Sequence, residues 1–363
     1  MRDAPPFADP APEAMLQQPM PNDQSAVLAN LCGWQVSLER FLWQGQPETV
    51  PRVTERGRLG QGSIGEVYEV KIRSFHSELT MARKSIAISR RKRIALRELD
   101  MIREEIVNMR NLSHAHVVQV LGCYQEGEGT RDHFFHVLMF PVGDRDLGTF
   151  LEDRYDAAEG SPHKTWLRSW FSCLASALAY MHSRKIHHED IKPKNIIHRG
   201  ERVMFTDFSS SRKFESGQET STANPARASR LFAAPEALPT EDGTILRHGS
   251  KTDIFSLGLV FVEMLTVLCG RAIDDLHDGI HTAFPGFDDN WERRQYYRVV
   301  AYFSPWFAST SGSLTYDMVI QPMLVEDRKD RASADAVLAL LSQQLPICRC
   351  TGVTAFPYHP SCT

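Results

Sequence analysis

The stretch IHHEDIKPKN, Ile186 to Asn195, gathers two histidines, two acids and two lysines within ten residues and closes on an amide. Too polar for a core and interrupted by Pro193, it reads as a loop held in one shape by its neighbours, and such loops are commonly functional. Far upstream, LGQGSIGEV sets Gly60, Gly62 and Gly65 in a GxGxxG spacing. A dinucleotide fingerprint with that spacing opens a helix, whereas these glycines lead into EVYEV, which alternates as a strand does. Glycines between two strands let backbone N–H groups close over a triphosphate where any side chain would obstruct. The two stretches pose one question: what chemistry joins a phosphate-covering flap to a loop carrying a carboxylate, a cation and an amide.

Those residues need a scaffold, and the pattern of the chain supplies one. From Gly57 to Arg73 the texture is short and β-rich, and LTMARKSI is the next strand candidate. A basic run and a helical pattern to Leu112 follow, then strand signals in VVQVLGCY and FFHVLMF. Past Gly143 the chain turns helical: WLRSWFSCLASALAYMH and DIFSLGLVFVEML repeat their apolar residues at a helical period. The expected fold is α+β, a small β-rich N-terminal lobe followed by a larger, mainly helical one, without internal repeats. Alternation in LTMARKSI puts Ala82 and Lys84 on one face, which is either solvated or turned to the glycine flap. The run SRRKRIALR, with Arg90, Arg91, Lys92, Arg93 and Arg97, reads as a solvated approach to a helix rather than a nuclear-import or anion-binding patch.

Bulk properties exclude more than they identify. At 363 residues the chain can bury one large core or two substantial ones. Lys plus Arg total 41 against 45 for Asp plus Glu, and a net charge of -4 gives no electrostatic reason to expect nucleic acid or membrane as a partner. Seven scattered cysteines suggest no disulfide framework, and the Cys348–Cys350 CxC pair, without a second ligand pair, reads as two free thiols. Residues 1–21 lack the basic start and apolar middle of a secretory signal, and the apolar run Leu257 to Leu268 is too short to cross a bilayer. The expectation is a soluble intracellular protein, cytoplasmic or nuclear. Residues 1–50 read as an extension, disordered by composition at first, then helical through Leu28, Leu31, Leu38, Phe41 and Leu42 and docking on the main domain at 51–345. Within that domain the lobes divide near residue 140, and 346–363 form a tail.

Seven elements, in order, resemble those of eukaryotic protein kinases over roughly Arg56 to Leu345. They are LGQGSIGEV, Lys84 in MARKSI, Glu105 in EIVNMRNLSH, HEDIKPKN, TDF, AAPE and Arg331 in EDRKDRAS. The resemblance implies an ATP site covered by Leu59, Gly60, Gly62, Gly65 and Val67, with Ala82 against the adenine and Lys84 on the phosphates, fixed by Glu105. Met139 falls at the gatekeeper position, and Phe140 to Val142 form the hinge whose backbone would meet the adenine edge. It further implies that Asp190 accepts or orients the substrate hydroxyl proton, Lys192 neutralises the transferred phosphoryl group, and Asn195 and Asp207 hold Mg²⁺. Asp253, in SKTDIFSLG, matches the aspartate that supports the catalytic loop, and Glu236 matches the partner of Arg331. Phosphoryl transfer asks little covalent help but much positioning and charge stabilisation, which answers the opening question.

Lys192 and the KP after Ile191 are similar to serine/threonine kinases, so the implied substrate is a protein hydroxyl of that type. Two positions depart from the family. Glu189 replaces the arginine of HRD and Ser209 the glycine of DFG, which puts activation by phosphate on Thr220, Ser221, Thr222 or Ser229 in doubt. A pseudokinase scaffold and a small-molecule kinase are the competing readings. Retention of Lys84, Asp190, Asn195 and Asp207 stands against the first, and AAPE with Arg331 against the second.

Overall fold

The computed structural model describes residues 53–61, 65–73, 78–110, 112–207, 212–213, 230–238, 249–284 and 295–344. They fall into two compact units, the first built from the chain up to Ser113 together with Gln119–Val142. The expected docking helix, Ser209, the four candidate phosphorylation positions and the Cys348–Cys350 pair lie outside the described residues.

The first unit is an antiparallel sheet of β1 (Val53–Gln61), β2 (Glu66–Arg73), β3 (Glu78–Ala87), β4 (Gln119–Glu126) and β5 (Phe134–Phe140), in the order β1-β2-β3-β5-β4. Period-two alternation decides what each face carries. On β3, Ala82, Lys84 and Ile86 are buried on one side while Arg83 and Ser85 lie half-buried on the other. Registers place Lys84 opposite Val67 and Val137, and Ala82 opposite Glu69 and Met139, so these pairs share a face. One helix, α1 (Lys92–Arg110), packs against β4 through Leu99, Ile102, Ile106 and Met109, spaced three or four residues apart as one face requires.

The second unit is mainly helical. After β6 (Arg145–Asp146) come α2 (Leu147–Arg154) and α3 (Pro162–Ser183). Asp146 caps α2 by accepting from Thr149 N at 3.0 Å, and Ser161 with Pro162 opens α3 in the way helix starts favour. Short strands follow: β7 (Ile186–His187), β8 (Ile196–Arg199), β9 (Arg202–Phe205) and β10 (Arg212–Lys213), with β8 between β6 and β9, and β7 beside β10. The remaining longer helices are α4 (Ser250–Leu268), α5 (Ile273–Ala283), α6 (Val300–Phe307) and α7 (Ala334–Gln344).

Helix α4 is buried on every side from Thr252 to Val267, which makes it the axis of this unit. A Cβ on its Gly258 would stand 2.9 Å from Met323 Cβ, so glycine is what lets that segment approach. The architecture is the expected α+β one, with one boundary moved. Val117 and Val118, read from sequence as part of a strand with VVQVLGCY, precede β4 and pair with Phe205 of the second unit.

Candidate functional site

In the first unit the glycine stretch bridges β1 and β2 as its sequence implied. Leu59 is exposed near the end of β1, Gly60 pairs with Val67, and Gly62 lies outside the described residues. Gly65 has a reason of its own to lack a side chain: a Cβ there would come within 2.4 Å of the Ser85 carbonyl oxygen on β3. Close packing of backbone on backbone thus demands glycine at 65 whether or not a phosphate is near. Lys84 is 3% exposed on the face it shares with Val67, Ala82 and Met139. The solvated alternative for that face is thereby removed. Met139 and Val142 are buried and Phe140 is half-buried. Glu105 sits on α1, but its side chain, and with it the expected Lys84–Glu105 pair, lies outside what is described.

In the second unit, the polar loop runs from β7 through a single 3₁₀ turn, Pro193–Asn195, into β8. Asp190 is its hub. Lys192 Nζ and Asn195 Nδ2 each donate to Asp190 Oδ2 at 2.8 Å, and Asn195 Nδ2 also donates to the Asp190 carbonyl oxygen at 2.8 Å. Two acceptors fix which end of the Asn195 amide faces inward, leaving Oδ1 as the end able to act as an oxygen ligand. Thr206 N donates to the Asn195 carbonyl at 2.9 Å, tying the loop to the strand end that precedes Asp207.

Asp253 on α4 positions the loop from below. Its Oδ2 accepts from His188 N and its Oδ1 from Glu189 N, both at 2.9 Å, and His182 Nε2 lies 2.9 Å from Oδ2. Burial alone would push this carboxyl up, but the hydrogen bond and charge of His182 override it and hold the pKa down at about 2. Asp253 is therefore an anion with fixed donors around it.

His188 is wholly buried, which lowers its pKa and keeps the ring neutral. Its Nδ1 accepts from Asp190 N at 3.4 Å, so the proton resides on Nε2, which donates to the Thr206 carbonyl at 3.1 Å. Asp190 and Thr206 are thus held from two sides of one imidazole. Glu189 and Asp207 both adopt left-handed backbone, with φ of 63° and 58°. Such values are uncommon for residues with side chains and cluster at functional sites. Both carboxylate oxygens of Glu189 are shielded from solvent.

The pairing of Glu236 with Arg331, inferred by resemblance, is present. Arg331 NH1 donates to Glu236 Oε1 at 2.6 Å and NH2 to Oε2 at 3.2 Å, a two-pronged contact with both side chains buried. Arg331 also donates to the Val325, Glu326 and Lys251 carbonyls, and its guanidinium lies over the Phe255 ring.

Sequence reasoning missed His182, His188 and Thr206, which build the support around Asp190 and Asp253. A histidine at the end of an apolar helix, or beside another histidine, carries no local sign of its partner. The gathered residues offer one carboxylate fixed by a cation and an amide, and beside it two oxygen-bearing side chains, Asn195 and Asp207, of the kind a hard divalent ion selects.

Comparison with known proteins then adds a family. The family model described as protein kinase domain matches residues 53–340. The chain is 29% identical over 209 residues to CBL-interacting protein kinase 28 of Oryza sativa subsp. japonica, a match covering 57% of this chain and 44% of that one. It is 30% identical over 213 residues to CBL-interacting protein kinase 15 of the same plant, covering 58% and 45%. Similarity to serine/threonine-protein kinase ATG1 of Komagataella pastoris is 28% over 243 residues, covering 57% of this chain and 28% of that one. The matched region spans less than half the length of each of these relatives.

Proposed function

We propose that this chain, which belongs to the protein kinase family, transfers the γ-phosphate of ATP to serine or threonine hydroxyls of protein substrates. The observation that carries the reading is the state of Asp190. It is buried, and Lys192 and Asn195 both donate to its Oδ2, so the carboxylate is held in one orientation as a base for the substrate hydroxyl. Its position is set before any substrate arrives, through Asp253, His188 and Asn195. Lys192, 2.8 Å from that carboxylate, supplies positive charge where the transferring group gains negative charge.

Asn195 Oδ1 and Asp207 are assigned to Mg²⁺, and the donor chemistry fits: hard oxygen ligands, few enough that phosphate oxygens would complete the shell. The ion, when bound, neutralises and aligns the phosphates. Lys84, with Leu59, Gly60, Gly62, Gly65, Val67, Ala82, Glu105, Met139, Phe140 and Val142, is assigned to ATP on the resemblance, supported by the burial of Lys84 on the face of Ala82 and Met139. Serine/threonine rather than tyrosine preference rests on the KP that follows Ile191 and on relatives that carry that description.

Purified protein incubated with γ-labelled ATP, Mg²⁺ and a peptide library decides the matter. Label on serine and threonine peptides, abolished in Asp190→Asn, is the expected result. Nucleotide binding with no transfer to any peptide would instead make the chain a scaffold that retains the fold.

A further inference from the structure

Helix α1 begins with cations, where a helix favours anions. Arg90 and Arg91 precede it, Lys92 and Arg93 occupy its first turn, and Arg97 follows one turn on. No acid stands in that first turn, and the N-terminus of a helix is its positive end, where cations are disfavoured. Glu98, on the next turn, accepts a hydrogen bond from Ser89 N at 2.8 Å. Among the described residues, none of these five cations forms an ion pair. Exposed apolar side chains flank those cations, Ile94 and Met101 (40% and 47% exposed) on one side and Leu96 (52%) on the other. With 3.6 residues per turn, Ile94, Arg97 and Met101 form one stripe, and Leu96 lies on the far side of Arg93. A helix that sets cations against its own dipole and leaves three large apolar side chains in water is shaped for an anionic, partly apolar partner.

Residues 1–52 have that chemistry. They hold six acids (Asp3, Asp9, Glu13, Asp23, Glu39, Glu48) against three arginines, a net of -3 in a chain whose total is -4. Leu28, Leu31, Leu38, Phe41 and Leu42 add an apolar stripe at helical spacing. Reach is sufficient. The 11 residues from Leu42 to Val53 can span up to ~36 Å, whereas β1 lies four strand spacings, about 19 Å, from β4, on which α1 packs. A tether of that length also keeps the segment at high local concentration, so a modest interface suffices.

We propose that the outer face of α1 is the docking surface for the chain's own N-terminal segment, with its acids over Arg90 to Arg97 and its apolar stripe over Ile94 and Met101. This interaction is independent of whether the protein transfers phosphate, and its tests read structure rather than turnover.

In the full chain, a photoreactive phenylalanine analogue replaces Met101, and Leu314, exposed by 65% in the other unit, serves as the control position. Mass spectrometry is expected to find products at position 101 within one chain, joined to peptides from residues 23–43. Arg93→Glu with Arg97→Glu should lower that yield roughly fivefold or more, and 0.5 M salt should lower it similarly. That variant improves the match of α1 to its dipole, so loss of folding does not confuse the result. Hydrogen exchange across 92–101 should be faster in Leu38→Asp/Phe41→Asp/Leu42→Asp than in the parent. The proposal is overturned by a yield no higher than at the control position. It is equally overturned by products joining two copies, or by phosphatidylserine vesicles taking up the helix with no intrachain product.

Discussion

Replacing Asp253 by asparagine removes one charge without changing shape, and the structure sets the cost. The Asp253 carboxyl sits at about 2 against an ordinary 3.8, nearly two pK units, and at neutral pH that depression contributes about 2 kcal/mol of stability. The substituted amide keeps only one acceptor oxygen for the donors at His188 N, Glu189 N and His182 Nε2. At least one buried N–H is left facing an NH₂ group, which costs about 1–3 kcal/mol more. The total is about 3–5 kcal/mol, or ~6–10 °C in Tm at ~2 °C per kcal/mol for a large domain. Thermal scans of parent and Asp253→Asn at pH 7 measure it directly, and turnover on the same preparations should fall at least about tenfold because His188 and Glu189 lead into Asp190.

The pH dependence supplies a second check. A carboxyl whose folded pKa lies below its unfolded one contributes fully above about pH 4, and that contribution fades as pH falls toward 2. The gap in stability between parent and variant should therefore be constant from pH 7 to about 5 and shrink below about 4. A Tm difference under about 2 °C at pH 7 would refute the reasoning, because it would mean that the three donors do not depend on the charge.

Asp190→Asn should leave Tm within about 2 °C of the parent while cutting transfer by at least about a hundredfold, since the base is lost and the shape kept; equal turnover would remove Asp190 from its assigned role. Asp207→Asn should raise the Mg²⁺ concentration needed for half-maximal rate, and superimposable metal titrations would show that Asp207 is no ligand. Because Glu189 stands where the family carries an arginine, phosphate on Thr220, Ser221, Thr222 or Ser229 has one fewer cation to meet, so phosphatase treatment should leave most of the activity. A loss of about tenfold, recovered on rephosphorylation, would contradict that. Glu263 is pushed up to about 7 by burial, against which the hydrogen bond from Tyr296 at 2.9 Å acts only in part. Its folded pKa lies above the ordinary value, so it costs stability increasingly as pH rises past 4.5. Glu263→Gln should therefore be close to neutral at pH 5 and stabilising by up to about 3 kcal/mol at pH 8, and equal Tm differences at the two pH values would show that Glu263 does not titrate there.

Where apolar period and packing agree, the elements could be read directly. FFHVLMF is β5 to the residue, LTMARKSI lies within β3, and DIFSLGLVFVEML is the buried middle of α4. Val117 and Val118 show the limit: alternation tells that they are buried, not that their partner is Phe205, almost ninety residues on. At the site, the acid, lysine and amide of HEDIKPKN were visible because they lie within one loop. His182, which meets Asp253 across 71 residues, was not, because nothing local marks which carboxylate a helix-end histidine will face. Nor did sequence reveal the left-handed backbone at Glu189 and Asp207, since neither is a glycine and the conformation is imposed by bonds made elsewhere. Gly65 was visible for a reason that proved incomplete, its close approach being to Ser85 as well as to any ligand.

The contact between Glu236 and Arg331 has a consequence for how the chain is made. The partners are 95 residues apart, and Arg331 also gathers carbonyls from residues 251, 325 and 326. On a ribosome adding ~5–20 residues per second, Glu236 emerges ~5–19 s before its partner. Throughout that interval the second unit can collapse around α4 only by burying a carboxylate with no cation to meet it. Closure must therefore wait for nearly the whole of the matched region to be translated. A nascent chain halted short of residue 331 would be a client for chaperones, and a premature stop there would yield a degradable fragment and not a shorter working protein.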